Sequence, residues 1–510
     1  MGQKIVIDPV TRIEGHLAVK LETEYNKGRN VITSAYSVGE MFRGFEVFLR
    51  GRDPLDAQQI TQRICGVCPI SHGMASCKAQ EDAYGIKPNK NGRLLQNLIL
   101  AANYIQSHIV HFYHLSVLDY VDVTSIVSYR GNDLELVKLK EWALDKLKSA
   151  KAGEPYALGP FLPRYEGDFY VEERDVNIEF VKHYLMALDM RRKAHEMCAV
   201  FGAKVPHATA LVPGGCTQIP TEERILSYRS RLELLKDFVE RVYIPDVFAL
   251  FSIMSEYWKI GRGYKNFLAY GVFDLGGGDT LFNSGAIIYG KYEPLDLTKI
   301  TEDVEFSRFS SPSSLHPSMG ETKPDPDKRG AYSWLKAPRY DGHPMEVGPI
   351  ARMLVDYHFP GKSVARPLLD GVMKRFNIKM ENFYSVAGRH VTRALELKII
   401  IEKAMEWLDE LHVDKAPARD FSLVRKGKGV GITEAPRGAL GHWLTISDYK
   451  IDRYQCVVPS TWNFSPRDHN GNPGPVERAL VGVNLKDLKQ PMEAVRIVRS
   501  FDPCLACAIH

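Results

Sequence analysis

Two Cys-x-x-Cys pairs stand near opposite ends of this 510-residue chain. The first lies in Arg63-Ile64-Cys65-Gly66-Val67-Cys68-Pro69-Ile70-Ser71-His72. The second closes the sequence as Asp502-Pro503-Cys504-Leu505-Ala506-Cys507-Ala508-Ile509-His510. Such spacing puts two thiolates on one tight turn, within reach of a single metal ion, and two pairs supply four soft ligands for a tetrahedral-type site. Spacing alone leaves a structural zinc and a redox dithiol open beside a redox-active metal centre. Three features weigh against zinc. The pairs are remote from one another, whereas zinc modules are local; each is followed by a histidine; and the second pair ends the sequence on His510. The remaining cysteines are Cys77, Cys198, Cys216 and Cys456. A disulfide framework does not suit so large a chain, and Cys77, Cys198 and Cys216 are expected as buried thiols.

Several elements must position these pairs. Leu17, Val19 and Leu21 alternate with Lys20, Glu22 and Glu24, which predicts a half-buried strand; a turn over Asn26–Asn30 returns it as a second strand from Val31 to Val38. A helical stretch after Asp53-Pro54 runs to Arg63 and delivers the first pair. Leu94, Leu95, Leu98, Ala101, Ala102, Ile105, Ile109 and Phe112 mark a long buried helix. Another, over Phe180–Leu188, stops before Gly202. Pro220-Thr221-Glu222-Glu223 predicts a helix start with Thr221 as N-cap, and that helix should break or bend at Pro245. A further long helix is expected from Asn382 to Leu411. Gly276–Gly278 reads as a loop without the flanking pattern of a phosphate site. Ser310–Tyr340 reads as a long surface excursion. After Gly427 the chain is mixed strand and loop. The fold class is therefore α+β, predominantly α: a long central helix bundle with strand-rich N- and C-terminal parts. Residues 1–510 are expected as one intertwined unit. Its parts are an N-terminal strand region (1–50), a helical core (90–260 and 380–412) and a C-terminal strand and loop region (427–510) carrying the second pair.

Composition excludes several classes. Hydrophobic residues are 45% and charged residues 25%, with a net charge of +4, so neither disorder nor a nucleic-acid footprint is expected. No apolar run of roughly 18 residues exists for a transmembrane helix. The opening Met1–His16 lacks the pattern of a signal peptide, so export would require a signal carried by a partner.

The residues around the two pairs resemble the signatures of nickel–iron hydrogenase large subunits, Arg-x-Cys-Gly-x-Cys-x-x-x-His and Asp-Pro-Cys-x-x-Cys-x-x-His. The resemblance extends to Asp8–His16, Met41-Phe42-Arg43-Gly44-Phe45-Glu46, His111-Phe112-Tyr113, Glu434-Ala435-Pro436-Arg437-Gly438 and Val458-Pro459-Ser460-Thr461-Trp462, in family order along the chain. It implies reversible heterolytic cleavage of H2 at a buried Ni–Fe centre whose iron carries CO and two cyanides. Cys65, Cys68, Cys504 and Cys507 would bind nickel, with Cys68 and Cys507 bridging to iron. Arg437 and Ser460 match the donors to cyanide, and Pro436 and Pro459 the pocket wall. Splitting H2 requires a Lewis-acidic metal and a base within hydrogen-bond reach. Of Cys504 and Arg437, the guanidinium stays protonated, so Cys504 is the expected first proton acceptor. Glu14 matches the carboxylate that passes protons onward and should be buried with a raised pKa; otherwise it is a mere partner for Arg12. Asp502 is expected to hold Arg437, and His72 to hydrogen-bond a bridging sulfur. Glu46, His510 and the backbone carbonyl of Cys456 match a second metal site for Mg or Fe. The family is trimmed after its final histidine, so this chain looks like the mature form.

Many relatives carry His-Asp-His before His-Phe-Tyr; here the run is Gln106-Ser107-His108. Together with the short opening, this resembles the nickel–iron–selenium branch, which has selenocysteine at the position of Cys504. His108, His111 and His114 are expected as satisfied core histidines rather than a metal trio. The chain has too few cysteines for iron–sulfur clusters of its own. The resemblance therefore implies an iron–sulfur small subunit as heterodimer partner, a downstream electron carrier such as a cytochrome, and a periplasmic or membrane-associated location through that subunit. A zinc-binding protein, the quinone-reducing subunit of respiratory complexes and an H2 sensor are the competing readings; the intact cysteine quartet argues against the quinone-reducing one.

Overall fold

The computed structural model describes residues 2–149, 167 and 169–510. It is an α+β fold in which helix predominates, and residues 150–166 and 168 of the expected helical core lie outside the described residues.

The N-terminal strands Gln3–Ile7, Leu17–Asn26 and Arg29–Gly39 form an antiparallel sheet closed by Asn484–Leu485. The first hairpin turns on Lys27 and Gly28, both at positive φ, which matches the twist of the flanking strands. Leu17, Val19 and Leu21 are buried, while Lys20 and Glu24 face water.

Helix Lys90–Ile109 is buried on nearly all sides and packs against helices Arg174–Gly202 and Val386–Asp409. Its polar residues therefore need internal partners. Asn97 donates to the carbonyl of Asp274 at 2.8 Å, and Gln106 to the carbonyl of Val67 at 2.6 Å, inside the first cysteine turn. Helix starts follow local capping: Asn89, Thr221 and Ser385 each accept an N–H from three residues on. Pro245 does not break its helix. Helix Glu222–Phe238 widens into a π turn over Val239–Tyr243, directly before Pro245, and continues as Ile244–Ile253, so the irregularity expected at the proline takes the form of a π turn.

Near the C-terminus, strands Lys426–Ala435, Gly438–Ser447 and Lys450–Val457 form an antiparallel sheet. Helix Pro69–Tyr84, which begins at the first cysteine pair, lies directly on the first of these strands. Four residues of helix and two of strand each advance about 6–7 Å, so Ala75 and Ala79 meet Gly431 and Gly429 in turn. A Cβ on either glycine would stand 1.9 Å from an alanine carbonyl oxygen, so only glycine permits this approach. The packing sets the first cysteine pair against the hairpin that carries Arg437.

Ser310–Tyr340 is the surface excursion its composition suggests only as far as Gly330, where most residues are exposed; its last part turns inward. Ala337–Tyr340 pairs with Ile300–Asp303, and Thr322, Ser333, Leu335, Lys336 and Arg339 are buried. Gly276–Gly278 is the turn of a short hairpin between Val272–Gly276 and Asp279–Phe282. Among the described residues no helix is long and apolar enough to cross a membrane.

Candidate metal centre

Cys65 follows the turn that ends helix Asp56–Gln62, and Cys68 is the residue on which helix Pro69–Tyr84 begins. The Cys65 sulfur accepts the backbone N–H groups of Val67 at 3.2 Å and Cys68 at 3.4 Å, which closes the Cys-x-x-Cys turn. Cys504 likewise precedes the short helix Leu505–Ala508 that holds Cys507. The four sulfurs converge: Cys65 and Cys504 are 3.5 Å apart, Cys68 and Cys504 4.0 Å, Cys68 and Cys507 3.3 Å, and Cys504 and Cys507 2.9 Å. All four are buried and lie within 4.8 Å of one another, a donor set that fits a soft metal ion. Hydrogen bonds from Cys504, Cys507 and Cys68 hold the Cys65 thiol well below the usual range, whereas burial pushes Cys504 and Cys507 up.

Two elements frame this quartet. The N-terminal segment runs beside the second pair as an isolated parallel bridge between Glu14 and Cys504. There Glu14 N–H donates to the Pro503 carbonyl at 3.2 Å, and Leu505 N–H to the Glu14 carbonyl at 2.8 Å. The carboxylate Oε2 of Glu14 lies 3.1 Å from the Cys504 sulfur and accepts from Ala506 N–H at 3.1 Å. Glu14 is half-buried rather than fully enclosed, yet desolvation, with the negative charge of Cys65 second, still raises its pKa. Arg12 does not pair with it; that guanidinium bonds to Asp119 and to the Leu115 carbonyl.

The other element is the hairpin Lys426–Ser447, whose register pairs Ala435 with Gly438 and leaves Pro436 and Arg437 as its two-residue tip. Arg437 is buried, with Nε 3.0 Å from the Asp502 carbonyl, Nη2 2.9 Å from the Asp502 carboxylate and Nη1 3.4 Å from Ser107 Oγ. Ser460 accepts Cys504 N–H at 3.0 Å, which leaves its hydroxyl proton available to another acceptor. Pro459, buried, opens the short helix Pro459–Asn463 beside it.

A family profile described as "Nickel-dependent hydrogenase" matches residues 43–510, and a second, described as "HoxL-like", matches residues 4–29. The chain belongs to the nickel-dependent hydrogenase family. Its relatives include the periplasmic NiFeSe hydrogenase large subunit of Desulfomicrobium baculatum, 42% identical over 99% of this chain and 95% of the relative. The Hydrogenase-1 large chain of Escherichia coli is 37% identical over 100% and 95%. The solved Ni-Fe-Se hydrogenase of D. vulgaris Hildenborough covers all of both chains at 41% identity, with a TM-score of 0.88. This chain is accordingly the catalytic large subunit of a nickel–iron hydrogenase, close to the NiFeSe members.

In this hydrogenase the remaining expected residues fall as follows. His72 Nδ1 pairs with His442 Nε2 at 3.2 Å, and His442 in turn with Tyr454 at 2.9 Å; no hydrogen bond from His72 to a cysteine sulfur is seen among the described residues. Burial lowers the His72 pKa to about 3. Glu46, Cys456 and His510 form a second buried cluster. Glu46 Oε1 lies 3.1 Å from His510 Nε2 and accepts the Cys456 backbone N–H at 2.7 Å. The group of Cys456 bonded there is thus its N–H, and its sulfur also faces the cluster; no contact of its carbonyl with Glu46 or His510 is seen among the described residues. Lys336 places its ammonium 3.0 Å from Glu46 Oε2 and 3.4 Å from Glu302. Burial raises the Glu46 pKa, but Lys336 and His510 outweigh it and hold the carboxyl low. His108 bonds Glu396 at 2.6 Å, His111 the Arg499 carbonyl at 2.7 Å and His114 the Tyr184 carbonyl at 3.3 Å, all core interactions. Cys77, Cys198 and Cys216 are buried and free.

Sequence reasoning missed three positioning groups. Arg43 donates to the carbonyls of Ile64 and Ala506 and so ties one cysteine turn to the other. Asp119 binds both Arg12 and Arg499. Arg352 holds the Ala435–Pro436 backbone. Its signal was available: a lone charge inside the apolar run Ile350-Ala351-Arg352-Met353-Leu354-Val355.

Proposed function

We propose that Cys65, Cys68, Cys504 and Cys507 hold a nickel–iron centre, with Cys68 and Cys507 shared between the metals and iron carrying CO and two cyanides. The observation that carries this reading is the convergence of four buried sulfurs, with Ser460 bonded to the Cys504 N–H and the Arg437 guanidinium near enough to feel the charges of Cys504, Cys68 and Cys65. Such a centre supplies Lewis acidity and two-electron redox capacity toward H2. Arg437 and Ser460 offer N–H and O–H donors suited to cyanide nitrogens in a pocket walled by Pro436 and Pro459, and Asp502 orients Arg437. Cys504 receives the proton, and Glu14, 3.1 Å away, carries it outward. Desolvation raises the Glu14 pKa, which makes this carboxylate a better proton acceptor than an exposed one. Glu46 and His510, with the backbone carbonyl of Cys456, would hold Mg or Fe in the second cluster; the carboxylate suits either ion and the imidazole suits iron.

The reading extends to partners. The relatives are named as large subunits, which supports a small subunit as heterodimer partner. This chain has too few cysteines for iron–sulfur clusters of its own, which supports clusters in that partner, with an electron carrier such as a cytochrome beyond it. The periplasmic relative supports a periplasmic location; membrane association through the small subunit is the alternative. The chain acts as one intertwined unit, because its larger hydrophobic core takes in residues from Val10 to Ile509.

Infrared spectroscopy of the purified heterodimer, with nickel and iron analysis, tests the centre. Sharp bands in the CO and cyanide stretching region with nickel present are expected. Zinc in place of nickel, with no such bands in a fully matured preparation, would overturn it.

A further inference from the structure

The Arg437 hairpin tip is held from behind by a residue that takes no part in the reading above. Arg352 lies on helix Pro349–His358 and is fully buried. Its Nε donates to Glu396 Oε2 at 2.9 Å. Nη1 donates to Glu434 Oε2 at 2.7 Å and to the Ala435 carbonyl at 2.9 Å. Nη2 donates to Glu396 Oε1 at 2.6 Å and to the Pro436 carbonyl at 2.8 Å. All five N–H groups of the guanidinium are therefore used. Two of the five acceptors are the carbonyls of the two residues immediately preceding Arg437.

The surroundings pin the guanidinium in turn. Glu396, on helix Val386–Asp409, also bonds His108 at 2.6 Å. Glu434 Oε1 accepts Tyr270 N–H at 2.7 Å, and the Glu434 carbonyl accepts from Tyr104 Oη at 2.9 Å, with the Tyr104 ring 5.1 Å from the Arg352 guanidinium carbon. A two-residue hairpin tip has few backbone groups to fix it, and Pro436 contributes no N–H. The fork of Arg352 supplies that fixation from the scaffold side.

We propose that Arg352 is a positioning residue for Arg437. It clamps the Ala435–Pro436 carbonyls so that the Arg437 guanidinium stays aimed at the cysteine quartet. This rests on the reading of Arg437 as the donor facing the metal-bound cyanides. Lysine cannot replace the fork, because a single ammonium offers three N–H groups from one point and cannot span two carboxylates and two carbonyls. A displaced catalytic group costs on the order of 100-fold in rate even when the displacement is about 1 Å.

The test compares infrared spectra, nickel content and H2 uptake of the heterodimer carrying Arg352→Lys, Arg437→Lys, or the double variant Arg352→Met with Glu396→Met. The double variant removes the cation with one of its two carboxylates; Glu434, left behind, already has its pKa raised by burial to about 7 and takes up a proton once Arg352 is gone. Nickel retained in a position-352 variant, cyanide bands displaced as they are in Arg437→Lys, and uptake lowered on the order of 100-fold are expected. Cyanide bands at the wild-type frequencies in nickel-loaded position-352 variants, while Arg437→Lys displaces them, overturn the proposal and leave the reading of Arg437 intact. Unmoved bands in Arg437→Lys overturn that reading itself. Loss of nickel from both position-352 variants, while Arg437→Lys retains it, also overturns the proposal, because Arg352 would then act on something other than Arg437.

Discussion

The carboxylate of Glu14 and the sulfur of Cys504 lie 3.1 Å apart although 490 positions separate them in the chain. Their contact is built into the backbone, since the two residues form the parallel bridge that joins the N-terminal segment to the second cysteine turn. On the proposed proton route, Glu14 is thus an acceptor whose backbone is fixed by main-chain hydrogen bonds and whose carboxylate is held by Ala506 N–H.

Glu14→Gln keeps the shape and the bond from Ala506 N–H but removes the exchangeable proton. H2 uptake by the heterodimer should fall by on the order of 100-fold or more, while para–ortho H2 conversion, which needs no proton release beyond Cys504, should persist. Wild-type uptake in Glu14→Gln would remove Glu14 from the proton route.

Gly15 sits at φ +81°, and a Cβ there would stand 2.5 Å from Ala506 N and 2.9 Å from Leu505 Cβ. Gly15→Ala should push the N-terminal segment off the second cysteine turn and lower uptake as Glu14→Gln does. Gly277→Ala is the control, with φ +70° but open space around the added carbon. It should cost only the backbone strain, about 1 kcal/mol in thermal unfolding, with uptake unchanged. Equal uptake in the two variants would show that the close approach at Gly15 does not matter.

Asp119 is a buried carboxylate shared by Arg12 and Arg499, one from the N-terminal segment before Glu14 and one from the helix before Cys504. Burial raises its pKa, but the two guanidiniums outweigh that and hold it low. Asp119→Asn leaves two buried cations without their anion and should destabilise by about 3–5 kcal/mol. In a chain of this size that is a fall of a few degrees in melting temperature. An unchanged melting temperature would mean that neighbouring groups neutralise Arg12 and Arg499 without it.

Glu477 is buried and accepts from Ser37 N–H at 2.9 Å and Tyr332 Oη at 2.8 Å. Burial raises its pKa from 4.5 to about 7. The native state thus binds a proton more tightly than the unfolded chain. Its contribution to stability is full below about pH 4.5, declines as pH rises toward 7, and is flat above that. Glu477→Gln removes this dependence. The stability of the variant relative to wild type should therefore grow between pH 5 and pH 7.5 by up to about 3 kcal/mol, seen as a widening gap in melting temperature. A gap that stays constant or narrows across that range would contradict the assignment.

The sequence by itself determined the features that rest on short-range chemistry. Cys65 and Cys68 share one turn because their spacing leaves little else for them to do, and the helix beginning at Thr221 follows from a side chain that reaches an N–H three residues on. Hydrophobic periodicity located the buried helix Lys90–Ile109 and the strand Leu17–Asn26 for the same reason. Only the tertiary structure decided the partners. Arg12 lies two residues from Glu14 yet pairs with Asp119, His72 pairs with His442, and Arg352 binds a hairpin tip some eighty residues later in the chain. The end of the polar, proline-rich Ser310–Tyr340 turns inward because Lys336 and Arg339 find buried carboxylates in Glu46, Glu302 and Asp468. Composition reports whether a residue prefers water. Whether a buried charge is compensated depends on groups brought close by packing, and no local pattern encodes that distance.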